Sequence, residues 1–257
     1  MTRSVSLFAL SLALATVLSA CGRSESVDTF KPDRAEEKVS VTDAKGAAPK
    51  VDTQAKGEAA PGALAPQDEC ARDAAFVAYR KQLAAAVSAK DFDKLKPLLS
   101  PQIKLDFGGG SGLELMAERL AKGVDANLDN RPHWEELAEI LSLGCALGGG
   151  NANATMPYAF EKLEGRDAFA TLFPRRDGIA LYKSEDANSE IAKTLHWEAL
   201  TLANPNDASD ATIAVKLDDG TTGFVRRADV RPATGYRALF NKGDDGKWLM
   251  TAFIAGD

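Results

Sequence analysis

The sequence predicts an α+β protein, on three observations. Apolar residues recur at helical spacing between about residues 74 and 142, alternate at strand spacing from about residue 178 onward, and are sparse before residue 70. A helix-rich N-terminal part with a small antiparallel sheet and a β-rich C-terminal part therefore follow a disordered N-terminal tether. At 257 residues with 45% apolar content, the chain can bury a sizeable core as one large or two small domains. The boundaries read as a leader over 1–20, a tether over 21–69, a helix-rich domain over 70–168, a β domain over 169–232 and a closing hairpin over 233–257.

In the helix-rich part, Phe76, Tyr79, Leu83 and Val87 fall on one helical face, with Arg80 and Lys81 directed elsewhere. A short second helix follows, with Asp91 as its N-cap, Phe92, Leu95, Leu98 and Leu99 as its stripe, and Pro97 cutting it short. "QIKLDFGGG" alternates Ile103, Leu105 and Phe107 against polar neighbours and stops at glycines, as a half-buried strand does. "GLELMAERLAKG" and "HWEELAEILSLG" are two more amphipathic helices, the latter burying Trp134, Leu137 and Leu141.

From Phe169 short strand candidates alternate with turns rich in Asp, Asn, Ser and Gly. The last is a hairpin: Tyr236, Ala238 and Phe240 alternate, 243–246 turns, and Trp248, Met250, Ala252 and Ile254 alternate back. Whether this hairpin completes the sheet begun at 102–107 is open at this level.

The N-terminus speaks of location. "MTRSVSLFALSLALATVLSAC" has a basic start at Arg3, then an apolar run of about 14 residues, below the roughly 20 that a spanning helix needs. Its end, Leu18-Ser19-Ala20-Cys21, resembles the bacterial lipobox. That resemblance implies cleavage before Cys21, lipidation of its thiol, and an exported chain held on a bacterial membrane by several acyl chains. Gly22, where Asp would retain the protein at the inner membrane, points to the outer one in a cell with two membranes. Residues 22–69 carry four of the eleven prolines and no apolar periodicity, so they are expected to form a flexible tether with a root-mean-square span of about 40 Å. The net charge is −6, and loss of the leader with its one cation makes it −7, which argues against nucleic acid as a partner.

Two family resemblances add to this. "GIALY" at 178–182, the loop and strand "SEDANSEIAKTL", and "IAVKLDDGTTGFV" resemble a bacterial Src homology 3 domain over 178–230. The resemblance implies a small β-barrel that binds cell-wall peptide or another protein and is not itself an enzyme, with Tyr182, Phe224 and Arg226 as ligand contacts. Three positions depart from it: Tyr182 replaces an Arg, Phe224 replaces a Trp, and a Trp before the hairpin is missing. The helices, "DFDKLKPLLSPQIKLDFGG" and "DGKWLMTAFIAGD" also resemble pieces of a nuclear transport factor 2-like domain, over 71–165 plus 236–257. That family implies acid–base residues in a cavity, for which Asp106, His133 and Tyr158 are the ones to examine.

Local catalytic motifs are scarce. The two histidines, His133 and His196, stand in no triad pattern and read as a helix-start or surface residue and a turn residue. "HWEEL" lacks the second histidine of a zinc helix, and "GGGSG" and "GGG" lack the Lys-Ser/Thr of a phosphate loop, so neither metal nor cofactor is expected. Cys70 and Cys145 are either two buried thiols or a disulfide. In an exported chain the disulfide is the expectation. The leading expectation is a lipid-anchored envelope adaptor contacting peptidoglycan peptide or an envelope protein. The alternatives are a small-molecule-binding or acid–base domain, and a purely structural lipoprotein.

Overall fold

The computed structural model describes residues 62, 64–122, 131–148, 152–163, 165–204, 211–243 and 245–256, all within one compact unit, Gln54–Asp257. The leader, Cys21 and the tether up to residue 61 lie outside the described residues. Within them, no helix is long and apolar enough to cross a membrane.

Helix α1, Ala74–Ser88, starts where the Asp73 carboxylate accepts hydrogen bonds from the N–H groups of Ala75 and Phe76, at 2.8 and 3.0 Å. It buries Phe76, Tyr79, Leu83 and Val87 as the periodicity predicts, and Phe76 packs edge-on against Phe240 and Trp248. Helix α2, Phe92–Leu95, is capped by Asp91 and tightens into a 3₁₀ turn, Lys96–Leu98, around Pro97. Strand β1, Leu99–Lys104, then leads into helices α3, Leu113–Lys122, and α4, His133–Ser142.

A five-stranded sheet backs these helices. It contains β1, β2 (Ala146–Leu147), β3 (Ala154–Met156) and the closing hairpin of β11 (Arg237–Lys242) and β12 (Trp248–Ile254), in the order β1-β12-β11-β3-β2. The hairpin therefore completes the sheet begun by β1, with Leu99 beside Met250. The expectation of a purely antiparallel sheet needs one correction, because β1 runs parallel to β12 while the other pairs are antiparallel. Phe107 also departs from its expected place on the buried face. The strand ends at Lys104, the chain turns back through a glycine loop, and the Phe107 ring is 58% exposed while Ile103 and Leu105 are fully buried. On α4 the buried face is His133, Glu136, Leu137 and Ile140, with Trp134 and Leu141 only partly covered. The stripe is rotated toward the polar residues because α4 packs against charged groups of the second sheet.

That second sheet has seven strands, β4 (Thr171–Pro174), β5 (Ile179–Tyr182), β6 (Ile191–Leu195), β7 (Leu200–Leu202), β8 (Thr212–Leu217), β9 (Thr222–Arg226) and β10 (Val230–Pro232). Their order is β10-β4-β7-β8-β9-β5-β6, with every pair antiparallel. Its core is Leu172, Ile179, Leu181, Leu195, Leu200, Ile213, Val215 and Val225 among others. Among the described residues its outer strands β10 and β6 do not pair with each other, so the sheet is open.

A tether reaching residue 69 is also corrected. Gly62 and residues 64–69 are bound to the body, because Leu64 is buried with Ala159, Phe173, Ala199 and Ala233. Burying one leucine contributes about 1.5–3 kcal/mol, and the segment's backbone hydrogen bonds and the Asp68–Arg80 pair add to it. The Gly62 N–H donates to the His196 carbonyl at 2.6 Å, and the Cys145 N–H donates to the Gln67 carbonyl at 2.7 Å. Gly144, at φ +77°, is needed at the second contact, since a Cβ there would lie 2.4 Å from the Gln67 oxygen.

Candidate functional site

Tyr182 ends β5 and Phe224 sits mid-β9, and the two are direct partners across the β5–β9 ladder. Such partners project to the same face, as does the residue two further along either strand. Here that residue is Arg226, whose guanidinium lies 5.4 Å from the centroid of the Tyr182 ring, within range of a cation–π contact. Gly223 makes the close approach possible, because a Cβ there would lie 2.7 Å from the Leu181 Cγ and 2.8 Å from the Tyr182 oxygen. The β8–β9 turn is set by Gly220 at φ +86° and by the Asp219 carboxylate accepting the Thr221 N–H at 2.8 Å. Tyr182 is mostly buried, Phe224 half-buried and Arg226 exposed.

Beside this cluster runs the loop 183–190, braced by Lys183 and Glu190 (2.8 Å) and by Asp186, which accepts the Asn188 N–H at 2.9 Å. The Arg226 guanidinium reaches this loop at the Ala187 carbonyl, 3.3 Å away. Arg227 turns away from the cluster and donates to the Val230 carbonyl at 3.2 Å. The three residues singled out as ligand contacts are thus brought together, as a small aromatic surface with one exposed cation.

Asp106, His133 and Tyr158 are instead held by separate partners. Asp106 follows β1 and accepts the Gly110 N–H at 2.7 Å and the Arg119 guanidinium at 2.5 Å. The Gly110 N–H foremost, with Arg119, holds its carboxyl below the usual range, and an aspartate so committed is a weak proton acceptor. His133, read as a capping or surface residue, is buried; its Nε2 is 3.0 Å from the Tyr236 hydroxyl, and its ring meets Tyr236 and Phe253 edge-on. The Tyr158 ring lies under the Lys162 ammonium at 4.9 Å. Asp106 lines a pocket of about 680 Å³ to which neither His133 nor Tyr158 contributes.

Sequence reasoning missed a buried charge cluster between α4 and the second sheet. Arg231 of β10 donates to Glu136 at 2.9 Å and to the Tyr236 carbonyl at 2.6 Å, and its guanidinium stands over the Phe173 ring. Next to it, Glu139 accepts from both Arg131 and Arg175, and Arg175 also donates to the Val230 carbonyl at 2.8 Å. The signal was present in "HWEELAEIL", where Glu136 and Glu139 share a face with the apolar Leu137 and Ile140.

The sulfurs of Cys70 and Cys145 are at bonding distance, with Cα atoms 5.7 Å apart. The Asp68 carboxylate lies within 4.8 Å of both, giving three donors of metal-ligand type. Joined sulfurs offer no thiolate, and Asp68 is already held by Arg80 at 2.7 and 2.5 Å, so this group does not fit a metal.

No protein-family model matches the sequence, and comparison with curated proteins gives no match. Among solved structures, the chain aligns with a candidate ketosteroid isomerase of Shewanella frigidimarina at 12% identity and a TM-score of 0.24, covering 71% of this chain and 94% of that one. It also aligns with a candidate calcium/calmodulin-dependent protein kinase II association domain of Xanthomonas campestris, at 12% identity and a TM-score of 0.17, covering 70% and 81%. At these scores the alignments carry neither fold nor function to this protein.

Proposed function

We propose that the chain is an exported cell-envelope lipoprotein, anchored through a lipidated Cys21, whose body is a non-enzymatic adaptor for peptidoglycan peptide or an envelope protein. The anchoring half rests on the basic start, the short apolar run and the lipobox-like Leu18–Cys21. The binding half rests on one observation, the meeting of Tyr182, Phe224 and Arg226 on one face beside the loop 183–190. Aromatic rings with an arginine are the residue types that dominate binding energy at interfaces. The Src homology 3-like reading of 178–230 belongs to this proposal. It is supported by the β8–β9 hairpin and by the β5–β9 pairing that puts Tyr182 against Phe224.

The test uses residues 22–257, which contain the whole compact unit. Retention on purified peptidoglycan at physiological salt supports the cell-wall partner. Absence of retention removes it and leaves the adaptor reading to rest on an envelope protein.

A further inference from the structure

The pocket beside Asp106 lies on the face of the five-stranded sheet opposite the helices. Its floor is Leu239, Ala252 and Ile254, whereas the neighbouring residues Ala238, Phe240 and Phe253 point into the helix-backed core. Two aromatic residues wall it: Phe107 from the glycine loop after β1, and Phe160 from the 3₁₀ turn Tyr158–Lys162.

The walls are braced. The Leu105 N–H donates to Gly110 and the Gly112 N–H to Ile103, both at 2.9 Å, and Arg119 clamps Asp106 and the Leu105 carbonyl. Gly110 is required in this loop, since a Cβ would come within 2.0 Å of the Asp106 carboxylate. A pocket so held loses little entropy on binding.

Four charged side chains line it, and they divide into two kinds. Asp106 is committed to Arg119, and Arg237 lies over the rings of Phe160 and Phe107, at 4.3 and 5.6 Å, while donating to the Gly256 carbonyl at 2.6 Å. Lys104 and Glu161 are different: among the described residues neither forms an ion pair or a side-chain hydrogen bond, with each other or with any neighbour. One ammonium and one carboxylate therefore border an apolar, aromatic-walled cavity without partners among the described residues.

We propose that this pocket binds a small zwitterion with an apolar side chain, a free amino acid or a dipeptide. The ligand carboxylate meets Lys104, its ammonium meets Glu161, and its side chain lies on Leu239, Ala252 and Ile254, beside the Arg237 guanidinium that fills the space between the two aromatic rings. This site is separate from the Tyr182–Phe224–Arg226 surface and stands or falls without it.

Equilibrium dialysis of residues 22–257 against L-leucine, leucyl-leucine, N-acetyl-L-leucine and L-leucinamide tests it. Saturable binding is expected for leucine or leucyl-leucine, and the stronger of the two fixes the ligand length. Because a hydrogen bond to a charged group is lost in each case, the acetylated and amidated forms should bind about tenfold or more weakly. That arm needs no variant. Lys104→Gln and Glu161→Gln, with melting temperatures matching the parent, should each weaken binding by a similar factor. No saturable binding of leucine or leucyl-leucine at millimolar concentration overturns the proposal. So does binding that is indifferent to blocking either charge of the ligand or to both substitutions.

Discussion

Replacing Glu136 by Ala should unfold this protein more readily than any exposed charge change. Glu136 of α4 and Arg231 of β10 are 4% and 1% exposed, and their charged atoms are 2.9 Å apart. The substitution removes the carboxylate but leaves the guanidinium buried between the Tyr236 carbonyl and the Phe173 ring. Removing one partner of a buried pair costs about 3–5 kcal/mol. For a body of this size that lowers the melting midpoint by roughly 6–20 °C, at about 2–4 °C per kcal/mol. The double variant Glu136→Leu/Arg231→Met removes both charges and their desolvation cost, and should lie within about 1 kcal/mol of the parent or above it. Urea unfolding of residues 22–257, followed by circular dichroism and tryptophan fluorescence, reads both values. Because the pair ties α4 to the second sheet, the two probes should report one transition. A cost below about 1 kcal/mol for Glu136→Ala is the value of a hydrated surface pair, and would contradict a desolvated Glu136–Arg231 contact.

Three other outcomes are expected. Thiol titration of residues 22–257 should find no free thiol before reduction and two after reduction in denaturant, and Cys145→Ser should cost up to roughly 4 kcal/mol because the bond closes a loop with a sequence separation of 75; two reactive thiols in the unreduced protein would contradict the bridge. Gly62→Ala places a Cβ 2.4 Å from the His196 oxygen, so it should cost about 1–3 kcal/mol and open 62–69 to protease, whereas an unchanged digestion pattern would show that the segment is not docked. Asp68 is held below its ordinary value of 3.8 chiefly by the Arg80 hydrogen bond, Asp218 chiefly by Arg166, and Asp106 chiefly by the Gly110 N–H. Carboxyls depressed in the fold stabilise it above their ordinary value and lose that contribution as pH falls through the folded value, so the melting temperature should drop below about pH 4, and a flat profile there would contradict these contacts.

Local periodicity made much of the fold legible. The stripe Phe76, Tyr79, Leu83 and Val87, the Asp91 cap and the closing hairpin all follow from spacing and turn chemistry, because they are decided within a few residues. What spacing does not encode is which edge a strand joins. The parallel pairing of β1 with β12 joins residues some 150 positions apart, and β2, β3 and β4 are too short to show alternation. Phe107 was misplaced for a similar reason: the alternation continues past Lys104 in sequence, but the chain turns at the glycines.

The aromatic surface was legible because the β8–β9 hairpin fixes Phe224 and Arg226 two residues apart on one face. Its partner Tyr182 followed from the resemblance over 178–230. The buried cluster was legible only on its acidic side, where Glu136 and Glu139 share a helix face with Leu137 and Ile140, since Arg175 and Arg231 each read alone as solvated surface. Only tertiary packing brings Arg231, 95 positions from Glu136, to its carboxylate. His133 was misread in the same way, its partner Tyr236 being 103 positions away.

The adaptor reading is tested most directly by peptidoglycan retention of residues 22–257 beside the Arg226→Ala variant. Arg226 is exposed, so its removal should leave the melting temperature within a few degrees of the parent. The parent is expected to be retained and the variant several-fold less. Equal retention of both proteins would contradict the assignment of binding to the Tyr182–Phe224–Arg226 surface, and retention of neither would contradict the cell-wall partner.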